Sequence, residues 1–145
     1  MYQPDESSQI RLKELLEYCQ TMKMSYSYKP VLIMALLCAG DKNGQLAIDE
    51  AARYFRNYYN ERRAKGLPVE KKNCIYQRTD ITEQQIAGNV RTNPVRALVE
   101  SGFFFYDEKI DVFSLDPAIW GIIDKEACEA IIQICHQRLD KYYSA

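Results

Sequence analysis

Cationic and tyrosine side chains alternate over residues 53–78, RYFRNYYNERRAKGLPVEKKNCIYQR. Lysine and arginine neutralise phosphate groups, and tyrosine stacks on bases or hydrogen-bonds to phosphate oxygens, so this segment is suited to binding a polyanion. The residues that we predict to contact nucleic acid or a partner protein are Arg56, Arg62, Arg63, Lys65, Lys71, Lys72 and Arg78. The alternative is that Tyr58 and Tyr59 belong to the core and that the arginines pair with acids of neighbouring helices.

The charge distribution supports the first interpretation. Residues 53–96 carry ten Lys or Arg and four Asp or Glu, a balance of +6, whereas the remainder carries nine basic and sixteen acidic residues, a balance of −7, which together give the net charge of −1. Such segregation is typical of a polyanion-binding face. A folded surface that mixes the two halves again would produce the same numbers.

No pattern typical of catalysis accompanies these cations. The single histidine, His136, lies on an amphipathic C-terminal segment without a nucleophile and base around it. The sequence contains no glycine-rich phosphate loop, HExxH, GxSxG or CxxC motif. Cys128 and Cys135 are seven residues apart, which suits packing on one helix face better than metal binding. We therefore predict no active site, no cofactor and no enzymatic activity.

A calcium-loop pattern at residues 39–50, AGDKNGQLAIDE, is incomplete. Asp41, Asn43, Gly44 and Glu50 fall at loop positions 3, 5, 6 and 12, but Ala39 stands where the first carboxylate ligand is required. A turn, a strand and a helix cap explain the same residues. We predict no metal site here.

The compartment is predicted from the cysteines and the N-terminus. The five cysteines are odd in number and lie among apolar residues, as in a reduced protein, and MYQPDESSQIRLKEL has acids where a signal peptide needs bases. The most apolar segment, residues 31–40, has nine hydrophobic residues in ten and is too short to span a bilayer, which needs about 20. We expect a cytoplasmic protein with no membrane partner.

Helical elements must position the basic segment. Ser7 or Ser8 can cap a first helix, Pro30 suits the first turn of a buried central helix over residues 31–40, and Asp49 can cap a third helix that ends at Gly66. Residues 67–79 predict an irregular basic loop. Thr82 with Gln85 forms a capping box for a short helix, and Asn93 with Pro94 begins another that Gly102 ends.

Strands complete the pattern. QLAI (45–48) predicts a short strand, and residues 103–106 and 110–115 predict a β-hairpin with its turn at Asp107–Lys109. Asp116 and Pro117 begin a one-turn helix containing Trp120, and a last helix begins near Lys125. The order helix, strand, helix, helix, hairpin is that of a winged helix, with an unusually long connection over residues 67–91 and an acidic wing turn.

The fold class predicted is α+β, mostly helical, with a winged-helix-like core. We expect a single domain over residues 1–145, with the core at about 28–115 and flanking helices at 8–23 and 117–143. The terminal helices should pack on the central helix, and the last helix also on Trp120 and on the first helix. Their apolar stripes leave both a monomer and a homodimer open.

Two stretches resemble a known group of proteins. SYKPVLIMALLCAGDKNGQLAIDEAARYFRNYYNERRAKGLPVEKKN and NPVRALVESGFFFYDEKIDVFSLDPAIW resemble regions appended to bacterial DEAD/DEAH-type helicases and to restriction nucleases (HNH and PLD types) of defence systems. A weaker similarity, confined to the YKPVLIMALL start, is to modification-dependent HNH endonucleases. The resemblance covers about residues 26–122, and most of its positions are core-forming, so it implies a shared fold more than a shared activity.

Together these observations predict a non-enzymatic accessory domain that assists nucleic-acid processing in a bacterial defence or restriction context. The partners implied are DNA or RNA, and a helicase or nuclease. The alternative is a pure protein–protein interaction module, or a mobile-element-encoded inhibitor that occupies the nucleic-acid site of another enzyme.

Overall fold

The computed structural model describes residues 6–145, which form seven α-helices and three short strands. The helices are α1 (Glu6–Thr21), α2 (Tyr28–Ala39), α3 (Ile48–Ala64), α4 (Glu83–Val90), α5 (Arg96–Glu100), α6 (Pro117–Trp120) and α7 (Lys125–Ser144). The strands are β1 (Gln45–Ala47), β2 (Phe104–Asp107) and β3 (Val112–Leu115). The predicted class is confirmed: the fold is mostly helical α+β, with the helix–strand–helix–helix–hairpin order of a winged helix.

The three strands form one antiparallel sheet in the order β1-β3-β2. Phe104 pairs with Leu115 and Asp107 with Val112, so the predicted hairpin is present but its turn is displaced. Asp107 belongs to β2, and the turn occupies residues 108–111. Asp111 ends this turn with a φ of 58°, a left-handed conformation that aspartate tolerates better than most residues.

The apolar helix α2 forms the centre of the core, as its all-round hydrophobicity predicts. Val31 and Leu32 have no exposed surface and Leu36 has 1%, whereas Leu37 is only partly buried. α2 contacts α3 on one side and α7 on the other, and α7 also packs on α1, as predicted. Apolar burial of this kind contributes about 1.5–3 kcal/mol for each large side chain.

The predicted break at Asn93 and Pro94 is wrong. Residues 83–100 are helical throughout, because a π-helical turn at Arg91–Val95 joins α4 to α5. The wider turn accommodates Pro94, which has no N–H to donate and would clash in a regular α-helix. The Thr92 hydroxyl donates to the carbonyl of Gly88 at 2.9 Å. The third winged-helix element therefore begins at Glu83.

Some helix caps follow the prediction and others do not. Thr82 and Gln85 form the predicted capping box, and Asp116 and Asp124 cap α6 and α7. Asp49 does not cap α3, which begins one residue earlier. It lies in the first turn, where a negative charge is favourable to the helix dipole.

The serines expected to cap the first helix do not cap it, and Trp120 makes a contact that the sequence did not indicate. Ser7 and Ser8 lie inside the first turn of α1. Trp120 lies against the turn before β1, where its indole N–H donates to the carbonyl of Lys42 at 2.8 Å. In this turn the Asp41 carboxylate accepts from the N–H groups of Asn43 and Gln45, the turn-and-strand arrangement predicted in place of a calcium loop.

Candidate nucleic-acid interface

The long link between α3 and α4, here called the connection, covers residues 65–82 and contains four of the seven predicted cations. It includes only a single 3₁₀ turn, Ile75–Gln77. Such a segment cannot satisfy its own backbone groups and must be held by side chains from elsewhere. The structure shows which side chains hold it.

Three arginines of α3 donate to carbonyl oxygens of the connection. Arg56 donates to Ile81 at 2.9 Å and Arg62 to Pro68 at 2.6 Å, and Arg63 donates to Tyr76. All three arginines are partly buried residues rather than fully exposed ones. Of these three arginines, only Arg56 pairs with an acid of a neighbouring helix, Glu83 of α4 at 3.8 Å, as the alternative interpretation predicted; the partners of Arg62 and Arg63 include carbonyl oxygens of the connection.

The lysines of the connection are placed differently. Lys71 Nζ lies 4.9 Å from the ring centre of Tyr142, and Lys72 Nζ lies 4.4 Å from that of Tyr26. The Arg62 guanidinium stacks over Tyr143 at 3.5 Å. Across residues 6–145, Arg62, Lys71 and Lys72 have no carboxylate within 4 Å. We call these three cations and the three tyrosine rings beneath them the connection surface.

The other predicted residues do not join that surface. Arg56, Arg63 and Arg78 line a separate cleft of about 60 Å³ between α3 and residues 76–81. Lys65, the first residue of the connection, pairs with Glu61 of α3 at 2.8 Å and lies neither in the cleft nor on the connection surface. The predicted cations thus lie in three places: on the connection surface, in the cleft beside α3, and in the exposed Lys65–Glu61 pair.

A buried carboxylate that sequence reasoning missed anchors the connection surface. Glu70 is 6% exposed. It accepts hydrogen bonds from the Ser27 N–H at 2.9 Å, from the Ser27 hydroxyl at 2.7 Å and from the Tyr142 hydroxyl. Ser27 precedes the N-terminus of α2, whose dipole favours a negative charge there. This arrangement ties the connection to the core and to the last helix.

A network of tyrosines surrounds Glu70. Tyr59 shares a hydrogen bond of 2.6 Å with the Ser27 hydroxyl, and Tyr143 donates to the carbonyl of Val69 at 2.8 Å. Burial raises the pKa of Tyr59 well above its usual value, and burial together with the neighbouring Glu70 carboxylate raises the pKa of Tyr142. Both hydroxyls therefore remain protonated at physiological pH.

The hairpin at the other end of the core is acidic. Arg91 of the π-helical turn makes a bidentate bond with Asp111 at 3.0 and 2.8 Å, and Tyr106 also donates to Asp111. The hydrogen bonds from Arg91 lower the pKa of Asp111. Beyond this cluster, the outer side of the hairpin exposes Phe105 by 50% and Ile110 by 62%.

Among residues 6–145, no three His, Cys, Asp or Glu side chains are grouped so that they could hold a metal ion. In the same part of the chain, no helix combines the length and hydrophobicity needed to cross a membrane. His136 is exposed on α7.

Comparisons with known proteins give no relative. No protein-family model, no curated protein and no solved structure matches the chain. The resemblance to helicase- and nuclease-associated regions therefore remains a prediction from the quoted residues. The features that bear on function are therefore the connection surface, the cleft and the hairpin.

Proposed function

We propose that the protein is a non-enzymatic, winged-helix-like accessory domain that binds nucleic acid through the connection surface. One observation supports this most directly: Arg62, Lys71 and Lys72 lie over tyrosine rings and, within residues 6–145, have no carboxylate partner. Cations without acidic partners are available to neutralise phosphates. The counterions that the nucleic acid then releases supply a large share of the binding affinity.

The tyrosines add a second contribution. Tyr26 and Tyr142 are half-buried, and a lysine ammonium covers each ring. When the lysines turn toward phosphates, these rings become free to stack on bases, which contributes about 1–3 kcal/mol per base and is tolerant of sequence. We therefore propose binding of single-stranded DNA or RNA without strong sequence preference. By the resemblance described above, the context is bacterial defence, with a helicase or nuclease as partner.

The test is the salt dependence of binding. Fluorescence anisotropy with labelled single-stranded DNA, duplex DNA and RNA, at several NaCl concentrations, should show binding that weakens steeply with salt. The Lys71→Glu/Lys72→Glu variant should lower the log–log slope by about 0.7–0.9 per lost contact. Both lysines are exposed, so the melting temperature should change little. Arg62 and Arg63 are unsuitable for this test because they also hold the connection in place.

Lys109→Glu is the matched control. It makes the same lysine-to-glutamate change at one exposed lysine of the hairpin turn, which is half the charge change of the double variant, so the single variants Lys71→Glu and Lys72→Glu are its equal-charge counterparts. If it reduces binding as much as the double variant, or if wild-type protein binds no nucleic acid even at low salt, the proposal is wrong.

A second candidate function is protein interaction. The hairpin favours it, because exposed Phe105 and Ile110 lie beside the acidic residues Asp107 and Glu108. Apolar anchors with an acidic border complement the basic groove in which an enzyme binds nucleic acid. The partner proposed is therefore such an enzyme, with the hairpin bound in its groove as an inhibitor would be. Displacement of nucleic acid from a helicase or nuclease of the host, lost in Ile110→Asp and kept in Lys71→Glu/Lys72→Glu, would favour this candidate.

A further inference from the structure

The cleft beside α3 has the composition of an anion site. Arg56, Asn60 and Arg63 are spaced four and three residues apart, so they share one face of α3, and this face meets Arg78 and Thr79 across the cleft. Tyr59 and Tyr76 form its floor and are each 1% exposed. No carboxylate is among the residues that line it.

The existing contacts leave donors free on each guanidinium. Arg56 uses one N–H for the Ile81 carbonyl, and Arg63 uses two, for the Asn60 side chain and the Tyr76 carbonyl. Because a guanidinium carries five N–H donors, most remain for a ligand. The same contacts fix Arg56 and Arg63 in place, so little side-chain entropy is lost when an anion binds.

Two carboxylates outside the cleft compete with a bound anion for the arginines. Glu83 lies 3.8 Å from Arg56, and Asp80 lies 3.4 Å from Arg78. Their side chains are 45% and 82% exposed, and neither lines the cleft. Exposed ion pairs are weak, so an anion that contacts several guanidiniums together can replace them.

The size of the cleft restricts the ligand. A volume of about 60 Å³ is far below the roughly 300–1,000 Å³ of pockets that hold a cofactor or a drug-sized ligand. A single tetrahedral oxyanion group entering from the open side matches this space and the fork geometry of arginine.

We infer that the cleft formed by Arg56, Arg63 and Arg78 binds one phosphate-class oxyanion, either a free phosphate or a single phosphate of a larger molecule. This site goes beyond the proposed function, because it uses none of the residues of the connection surface. It also gives Arg56 and Arg63 a ligand-binding role in addition to holding the connection.

The experiment is a titration of the full chain with sodium phosphate at pH 7 and constant ionic strength, followed by NMR of the arginine side-chain N–H groups. The expected result is a saturable shift of the Arg56, Arg63 and Arg78 signals. Arg78→Gln should weaken phosphate binding about tenfold or more, as loss of a charge-assisted hydrogen bond does. Arg53→Gln is the matched control, since Arg53 is also exposed and paired with one acid of its own segment, Glu50.

Asp80→Asn supplies a second variant that removes no ligand-binding group. By freeing Arg78 from its acid it should tighten phosphate binding severalfold. Unchanged affinity in Asp80→Asn, no saturable shift in wild-type protein, or equal weakening in Arg53→Gln and Arg78→Gln would each overturn the inference. These outcomes do not depend on Lys71 and Lys72. The phosphate site can therefore be refuted while nucleic-acid binding by the connection surface is supported, and nucleic-acid binding can be refuted while the phosphate site is supported.

Methyl phosphate and dimethyl phosphate identify the source of the ligand. Binding of the monoester alone supports a site for free or terminal phosphate. Equal binding of the diester supports a site for the backbone of a nucleic acid. Both results require the same three arginines.

Discussion

The connection and the hairpin are the two long links of this fold, and they are held in opposite ways. The hairpin is held by its own backbone pairing, with Phe104 to Asp107 bonded to β3. The connection has almost no regular structure and depends on side chains of α3, α7 and the start of α2. The arginines of α3 consequently lie against the connection, where carbonyl oxygens need donors, whereas the hairpin turn is acidic.

This difference shows why a winged-helix order does not identify a winged-helix DNA reader. A wing that grips DNA is usually basic, because phosphate contacts dominate affinity. Here the hairpin carries Asp107, Glu108 and Asp111, whereas Lys71 and Lys72 of the connection and Arg62 at the end of α3 lie together without a carboxylate within 4 Å among residues 6–145. Substitutions in matched pairs, one in each region or one with a control residue, test how the connection and the hairpin are stabilised.

The largest effect is expected at Glu70. Glu70→Ala leaves the Ser27 N–H and hydroxyl and the Tyr142 hydroxyl without their buried acceptor, so unfolding should become easier by about 3 kcal/mol. Glu108→Ala in the hairpin turn is the control and should change stability by less than about 0.5 kcal/mol. The measurement is urea denaturation, in which the midpoint should fall with an unchanged slope. Equal stability of the two variants would show that Glu70 does not hold the connection.

The second effect compares two glycines with the same backbone conformation. Gly44, before the sheet, has φ of 72°, and Gly66, at the start of the connection, has φ of 71°. A Cβ at Gly44 would lie 2.7 Å from the Trp120 ring, whereas nothing lies within 4 Å of one at Gly66. Gly66→Ala should therefore cost about 1 kcal/mol from conformation alone, and Gly44→Ala about 2 kcal/mol or more.

Thermal unfolding of both glycine variants gives the measurement. A similar loss in the two would mean that Trp120 moves aside without cost. The sheet side of the molecule would then be less tightly packed than the structure indicates.

Sequence patterns predicted the hairpin side better than the connection. The central helix was predictable because nine of the ten residues over 31–40 are hydrophobic, and the hairpin because aromatic and β-branched runs flank a polar turn. The capping box at Thr82 and Gln85 is a local pattern of the same kind. Each of these signals lies within a few residues of the element that it specifies.

The connection could not be predicted because its contacts are distant in sequence. Glu70 bonds to Ser27 and Tyr142, which are 43 and 72 residues away, and nothing in GLPVEKK distinguishes a buried glutamate from a solvated one. The arginines of α3 were identified from the sequence as candidate binding cations. Their carbonyl partners could not be predicted, because these depend on the path that the connection takes past α3. Pro94 was assigned to a helix start because the usual preference of proline applies to α-helices, not to a π-helical turn.

The smallest effect concerns the Arg91–Asp111 pair, which among residues 6–145 is the one arginine–carboxylate contact that supports the hairpin turn. The pair is partly exposed, so Arg91→Gln should cost less than about 1 kcal/mol. Its signature is instead the pKa of Asp111, which the Arg91 hydrogen bonds lower from its usual value of 3.8. A carboxyl group with a lowered pKa in the folded state adds stability above the unfolded pKa and loses it as the pH falls through the folded pKa. The difference in stability between wild type and Arg91→Gln should thus be constant at neutral pH and shrink below about pH 4.

NMR titration of the Asp111 carboxyl measures this directly, with Arg96→Gln as control, since Arg96 is exposed on the adjoining helix. In Arg91→Gln the pKa of Asp111 should return toward its usual value, and in Arg96→Gln it should stay low. If the two variants titrate alike, a general field of the basic segment rather than a specific pair sets the charge of the hairpin. The sharp electrostatic division between hairpin and connection would then have to be abandoned, because cations of one region would be acting across to the other.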